Sequence, residues 1–254
     1  MPRTHTDEAI VLRAHNVGES DRFLILLTKN LGKVAARARA VRKPLTKHRA
    51  GLLPLHCISA MFTEHSFGYV LSSVDCTDTS SHVWQSTDTF GSAGQAIELT
   101  LKLIEDGHPV PEVYDLFFDF LKACRSPLSA VLFPAYGIKL LGVQGILPSV
   151  THSCVSHQQL PNENIVYSQK HGGLCAWRED PSGLRLSVPA MQALITITSN
   201  SLKDLPVLLA ADEVERLLYS LLGNQLGLSL SAPAFAASIS SAVAPSCHVS
   251  GRAS

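Results

Sequence analysis

The segment GKVAARARAVRKPLTKHR, residues 32–49, decides how the chain is read. It holds seven Lys or Arg in 18 residues of a protein whose formal net charge is zero. Along residues 33–41 the pattern has period two. Val34, Ala36, Ala38 and Ala40 fall on one side of an extended chain; Lys33, Arg37, Arg39 and Val41 fall on the other. Ala and Arg both favour helix, but a helix would scatter the three cations around its circumference. As a strand the segment has one face of small residues, suited to the crowded interior of a small barrel, and one cationic face. RKPLTKHRAGLLP then reads as a basic loop punctuated by Pro44 and Gly51.

Working outward, EAIVLRAH (8–15) and FLILLTKN (23–30) are strand-like runs separated by the turn-forming NVGESDR, and LGK makes a tight turn at Gly32. LHCISAMFTE (55–64) and FGYVLSSVDC (67–76) supply two more strands, joined by a turn near His65 to Gly68. Five short strands predict an OB-type barrel over residues 1–79. From Ser80 the period becomes helical: 83–107, then 111–124 with Pro111 in the first turn, then 126–145, which Pro134 should kink or restart. After an irregular stretch at 148–187, helices are expected at 188–200 and about 211–226. The fold class is α+β: an N-terminal OB-fold barrel, then a mainly α-helical domain over 80–228. Residues 229–254 are Ser/Ala-rich and expected to be a disordered or loosely attached tail.

Charge is divided unevenly. Residues 1–50 carry 11 Lys or Arg against 4 Asp or Glu, and the rest of the chain carries 10 against 17. That split points to a basic module for a polyanion joined to a mildly acidic one. Phosphate binding needs cations spread along a groove, and the candidates are Lys33, Arg37, Arg39, Arg42, Lys43, Lys47 and Arg49. Aromatic stacking often accompanies such a track. Phe23, Phe62, Phe67 and Tyr69 lie in the same module, although each taken singly is more often core. No apolar run approaches the ~18 residues of a membrane span, and the opening MPRTHTDEAI lacks the apolar stretch of a signal peptide. A cytoplasmic protein is expected, with Cys57, Cys76, Cys124, Cys154, Cys175 and Cys247 as reduced thiols. There is no P-loop, HExxH or nucleophile elbow. GESD at 18–21 is turn chemistry, and no enzyme is expected.

THSCVSH (151–157) and HGGLCAWR (171–178) have the outline of a zinc clamp. Tetrahedral zinc usually takes two tight ligand pairs. Cys154 and His157 form one pair, but Cys175 is followed three residues later by Arg178, which cannot ligate. His152 and His171 stand off the usual spacing. The segment is therefore a degenerate zinc-motif-like insertion expected to hold by packing, with no cofactor; Cys154, His157 and Cys175 are the weak candidate ligands for a structural zinc.

Residues 8–44 also resemble the start of the RecO family of bacterial recombination mediators. The shared elements are the apolar strand, the Gly-Glu-x-Asp-Arg turn at Gly18–Arg22, a strand ending at Thr28, the Gly32–Lys33 turn and the basic run Arg37–Lys43. GIKLLGVQGILPSVTHSCVSH and HGGLCAWR resemble the family's helix, Gly-x-x-Pro turn and zinc segment, with His157 and Arg178 replacing one member of each Cys-x-x-Cys pair. The stretch after Gly227 departs from the family's usual basic ending.

The resemblance implies an OB barrel followed by a helical domain, and a non-enzymatic role in DNA repair and recombination. It implies binding of single- and double-stranded DNA and annealing of complementary strands. The Gly18–Arg22 turn is expected to be structural, with Arg22 a further candidate for DNA contact. The resemblance also implies work with RecR to load RecA onto strands coated by single-strand-binding protein, whose acidic C-terminal tail would dock on the helical domain. Lys102, Lys122, Arg125 and Lys139, with Phe117 lining a groove, are the residues available for that docking. The expected location is cytoplasmic and nucleoid-associated. The competing reading is an OB-fold RNA-binding or translation-associated module with a helical protein-interaction platform, which would prefer RNA.

Overall fold

The computed structural model describes residues 3–39, 52–66, 68–125, 129–206 and 210–230. Two compact units lie within Met1–Thr79 and Ser80–Ala232.

In the first unit, β1 (Thr4–Val17), β2 (Asp21–Thr28), β3 (Lys33–Ala38), β4 (Cys57–His65) and β5 (Gly68–Asp78) close into a barrel of order β1-β2-β3-β5-β4. Neighbours are antiparallel except β3 and β5, which run parallel and close the barrel. The period-two pattern is what allows closure. Val34, Ala36 and Ala38 point inward against Leu24, Leu26, Ile58, Ala60 and Phe62, all of them buried. Alanines on β3 leave room for the larger side chains opposite.

Two local devices fix the strand ends. Asp7 is buried and its carboxylate accepts from Asn30 N and Nδ2 (both 2.8 Å) and from Leu31 N (3.2 Å), so it pins the β2–β3 turn. Thr28, also buried, donates from Oγ1 to Gly32 O at 2.8 Å across the same turn. At the β4–β5 turn Gly68 adopts φ +110°, and a Cβ there would stand 2.9 Å from Ala35 O. Only glycine lets β5 come this close to β3.

The second unit holds α1 (Thr87–Leu103), α2 (Pro111–Ala123), α3 (Ser129–Val143), α4 (Val188–Ser199) and α5 (Ala211–Leu226). Pro111 occupies the first turn of α2, and Ser187 caps α4 by accepting from Ala190 N. Three features depart from the sequence expectation. Residues 83–107 are not one helix: a 3-10 turn spans Ser81–Gln85, and α1 stops at Leu103 because Ile104 is extended. Pro134 lies inside α3 and does not restart it. It forfeits one backbone bond near the helix start, while buried Phe133, Tyr136, Ile138, Leu140 and Leu141 hold the rest in place. The stretch 148–187 is also not irregular throughout. It contains an antiparallel sheet of order β7-β6-β8, formed by β6 (Ile165–Ser168), β7 (Gly173–Ala176) and β8 (Leu184–Leu186). All four residues of β6 and of β7 are buried, so neither strand shows alternation.

The helical core centres on Phe117, Phe120 and Tyr136. Their ring centroids lie 5.5 Å (Phe117–Tyr136) and 5.1 Å (Phe120–Tyr136) apart, and the Tyr136 hydroxyl bonds to Thr100 Oγ1. Burial raises the Tyr136 hydroxyl above its ordinary pKa and keeps it neutral. No helix among the described residues is long and apolar enough to cross a membrane.

Candidate nucleic-acid interface

The outward side of β1, β2 and β3 is graded along the strands. At one end Ile10, Leu27 and Lys33 lie side by side in register, and all three are buried. In the middle, Arg13, Ile25 and Ala35 form a half-buried row. At the far end His15, Phe23 and Arg37 form an exposed row. A β-bulge between Val11 and Arg13 keeps Val11 and Ala14 inward while turning Arg13 and His15 outward. Arg39, just past the end of β3, is exposed.

The predicted cations therefore have unequal positions. Of the described candidates, Arg37 and Arg39 are the exposed ones. Arg37 is held at the rim of this face by Asp21, whose Oδ2 accepts from Nε at 2.9 Å and Nη2 at 2.8 Å. Lys33 stands on the predicted side of β3 but at its covered end, 9% exposed. Arg22 is equally buried and points to the barrel mouth, donating to Asn16 Oδ1 (3.3 Å) and Leu52 O (3.1 Å). These bonds give the Gly18–Arg22 motif a structural job: Arg22 ties the β1–β2 turn to the chain at Leu52. Arg42, Lys43, Lys47 and Arg49 lie outside the described residues.

The aromatics sort cleanly. Phe62 is core, and Tyr69 packs edge-on against it with centroids 5.9 Å apart. Phe67 is outside the described residues. Of the three described candidates, Phe23 alone is exposed on the outer face, at 37%. Sequence reasoning missed Arg13 and His15. Their spacing of two is a strand signal, but the bulge breaks the phase with Ile10.

The zinc-like segment brings two of its three candidates together. Cys154 and Cys175 lie near enough for their thiols to affect one another, and Cys154 N donates to Leu174 O at 2.8 Å. Gly173 makes this approach possible, because a Cβ there would stand 2.6 Å from Cys154 Cβ. Burial pushes the Cys175 thiol up to about 11 and also raises that of Cys154. The carboxylate of Glu179 takes up donors from both loops, accepting from Ser153 Oγ (2.8 Å) and Ala176 N (2.9 Å). Bonds from the Ser156 and Ser153 hydroxyls and the Ala176 amide hold Glu179 below the usual carboxylate range. Among the described residues no group of three or more His, Cys, Asp or Glu is placed to hold a metal. The donor set here, two thiols and a carboxylate already engaged by hydroxyl and amide donors, does not fit tetrahedral zinc.

In the helical unit, Phe117 is fully buried and lines no groove, which corrects the expectation for it. Lys102 bonds to Glu98 (2.7 Å) and Ser229 O, and Lys122 lies 4.0 Å over the Phe118 ring. Lys139 borders an open cavity of about 640 Å³ floored by Leu116, Ile138 and Leu147. The same cavity is walled by Glu112, Asp115 and Asp119, so its field disfavours an acidic peptide.

Comparison with known proteins agrees with this architecture. Residues 1–67 match the model "Recombination protein O N terminal", and residues 85–232 match "Recombination protein O C terminal". The protein from Desulfitobacterium hafniense named DNA repair protein RecO is 29% identical over 170 residues, 67% of this chain and 62% of that protein. The chain thus spans less than two thirds of that relative's length. Proteins of the same name from Acetivibrio thermocellus (27% identical, 77% of this chain and 80% of the relative) and Exiguobacterium sibiricum (29%, 83% and 86%) align over more. With matches to both halves of the family in the right order, and a barrel followed by helices to carry them, the chain belongs to the RecO family.

Proposed function

We propose that the protein is a recombination mediator of DNA repair that binds single- and double-stranded DNA through the outer β1–β2–β3 face and anneals complementary strands. One observation carries the reading: in a chain of this family, the exposed end of that face sets His15 and Arg37 on either side of Phe23, with Arg13 half-buried in the next row and Arg39 exposed just past β3. Cations held on a rigid sheet neutralise backbone phosphates and release their counterions. Doing so for two strands at once lowers their mutual repulsion. The role is non-enzymatic, needs no cofactor and belongs to the cytoplasm near the nucleoid. RecR, the acidic tail of single-strand-binding protein and, indirectly, RecA are its proposed partners. The acid-walled cavity beside Lys139 is a poor receptor for that tail, which leaves the α2 end around Lys122 and Arg125 as the better candidate.

The test is fluorescence anisotropy of a labelled oligo-dT strand across a salt series, with wild type and the Arg37→Ala/Arg39→Ala double variant. Affinity should fall steeply with salt. The double variant should bind more weakly and lower the log–log slope by about 1.4, at roughly 0.7 per phosphate on a single strand. An unchanged slope in a folded double variant would remove this face from the contact. Tighter binding to RNA of the same length would favour the RNA-module reading.

A further inference from the structure

We propose that Phe23 is a base-stacking residue that makes this face select unpaired strands over duplex, an inference that rests on the nucleic-acid reading above. The argument starts from where the ring stands. Outward positions on β2 alternate through Asp21, Phe23, Ile25 and Leu27. Leu27 is buried and Ile25 half-buried, as expected for apolar side chains, yet the largest of the three occupies the exposed end. Its in-register neighbours are not apolar: His15 lies across on β1 and Arg37 across on β3. Cross-strand neighbours on one face stand about 5 Å apart, so an aromatic plane is bracketed by two side chains able to hold phosphate or base edges.

Packing does not require a phenylalanine here. The barrel interior is filled from the other side of β2 by Leu24 and Leu26, both fully buried. Phe62 and Tyr69 complete each other as an edge-on pair and leave Phe23 without a role in that core. What an exposed ring between a histidine and an arginine does well is stack on a base. A base in a duplex already has both faces covered, so only an unpaired strand can use the ring. Arg37 and His15 contribute sequence-independent backbone contacts on either side, while Phe23 supplies strand selectivity.

Charge separates the two contributions experimentally. Phe23 neutralises no phosphate, so its loss should weaken binding without changing the salt slope, whereas loss of an arginine changes both. The experiment measures anisotropy of labelled oligo-dT and of a mixed-sequence duplex of equal length, for wild type, Phe23→Ala, Phe23→Tyr and Phe23→Trp. Phe23→Ala should weaken oligo-dT binding by about five- to a hundredfold, leave duplex binding within about twofold and leave the slope unaltered. Tyr and Trp should restore most of the affinity, and oligo-dT should quench the new indole in Phe23→Trp beyond any change from Trp84 and Trp177 in the parent. Equal weakening for both DNAs, or unaltered oligo-dT affinity in Phe23→Ala, would overturn the inference while leaving the nucleic-acid reading in place. Wild type that binds neither DNA at low salt would overturn both. Melting curves of each variant keep an unfolded barrel from being mistaken for a lost contact.

Discussion

Asp21→Asn is expected to strengthen DNA binding although it adds no contact. In the folded chain Asp21 Oδ2 accepts from both Nε and Nη2 of Arg37 at 2.9 and 2.8 Å, and the arginine side chain remains 52% exposed. An exposed pair of this kind couples by about 0.2–1 kcal/mol, and a phosphate must exceed that to take the guanidinium. Asparagine keeps an acceptor for Ser20 and for the arginine but removes the charge. Oligo-dT affinity should therefore rise by about 1.4- to 5-fold. If Arg37 meets a phosphate only when released, the log–log salt slope should steepen by up to about 0.7. Fold stability should fall by no more than about 1 kcal/mol. The decisive control is the cycle with Arg37→Ala: in the double variant the gain should vanish, because the guanidinium that Asp21 holds in this pair is gone. A gain that persists without Arg37, or a folded Asp21→Asn protein that binds no better, would refute the idea that this pair sets the charge available on the face.

Three further outcomes are expected. Arg22→Ala should destabilise the barrel by about 1.5–3 kcal/mol in urea unfolding, since Arg22 is buried and so is its charged bond to Leu52 O, yet leave the salt slope of DNA binding unaltered; a flatter slope would put Arg22 on the DNA. Glu179 has its pKa lowered in the fold, so the stability it lends is complete above the ordinary value of 4.5 and lost as pH falls through the depressed one. Thermal melts between pH 6 and 3 should accordingly decline less for Glu179→Gln than for wild type, and parallel curves would count against the carboxylate clasp. Finally, purified protein should contain no stoichiometric zinc by elemental analysis and keep its melting temperature in a chelator, because Glu179 already occupies the donors of both loops; a drop in melting temperature on chelation would show that a metal holds this segment.

How legible the site was in the sequence depends on which coordinate is asked for. Side was legible: the alternation of Val34, Ala36 and Ala38 with Lys33, Arg37 and Arg39 is a local property of the strand. Depth along the strand was not. Lys33 and Arg37 share a side, but one is buried and the other exposed, and no residue near Lys33 in sequence announces the covering. Arg13 and His15 were hidden by a bulge inside a continuous apolar run. The short sheet β6–β8 escaped because its strands are three or four residues long, and β6 and β7 are covered on both faces, so neither period nor length could register. Phe117 was misplaced for a simpler reason: helical spacing puts it on an apolar stripe, and a stripe does not say whether it faces a groove or a core.

The stacking proposed for Phe23 also bears on how a protein selective for unpaired strands could carry out the proposed annealing. Tighter binding to single strands stabilises the reactants, which taken alone opposes annealing. The magnitudes decide the matter. One stacked base on Phe23 is worth about 1–3 kcal/mol, whereas each base-pair step formed returns about 1.4 kcal/mol. A nucleus of three or four pairs therefore outweighs the stacking contact and strips the base from the ring. Backbone cations at Arg13, Arg37 and Arg39 carry no such preference and continue to hold both strands while their charges are brought together. On this division the arginines reduce the repulsion that slows encounter. The phenylalanine would keep unpaired bases splayed and let go once they pair, so the duplex product would be held more weakly than the strands that formed it.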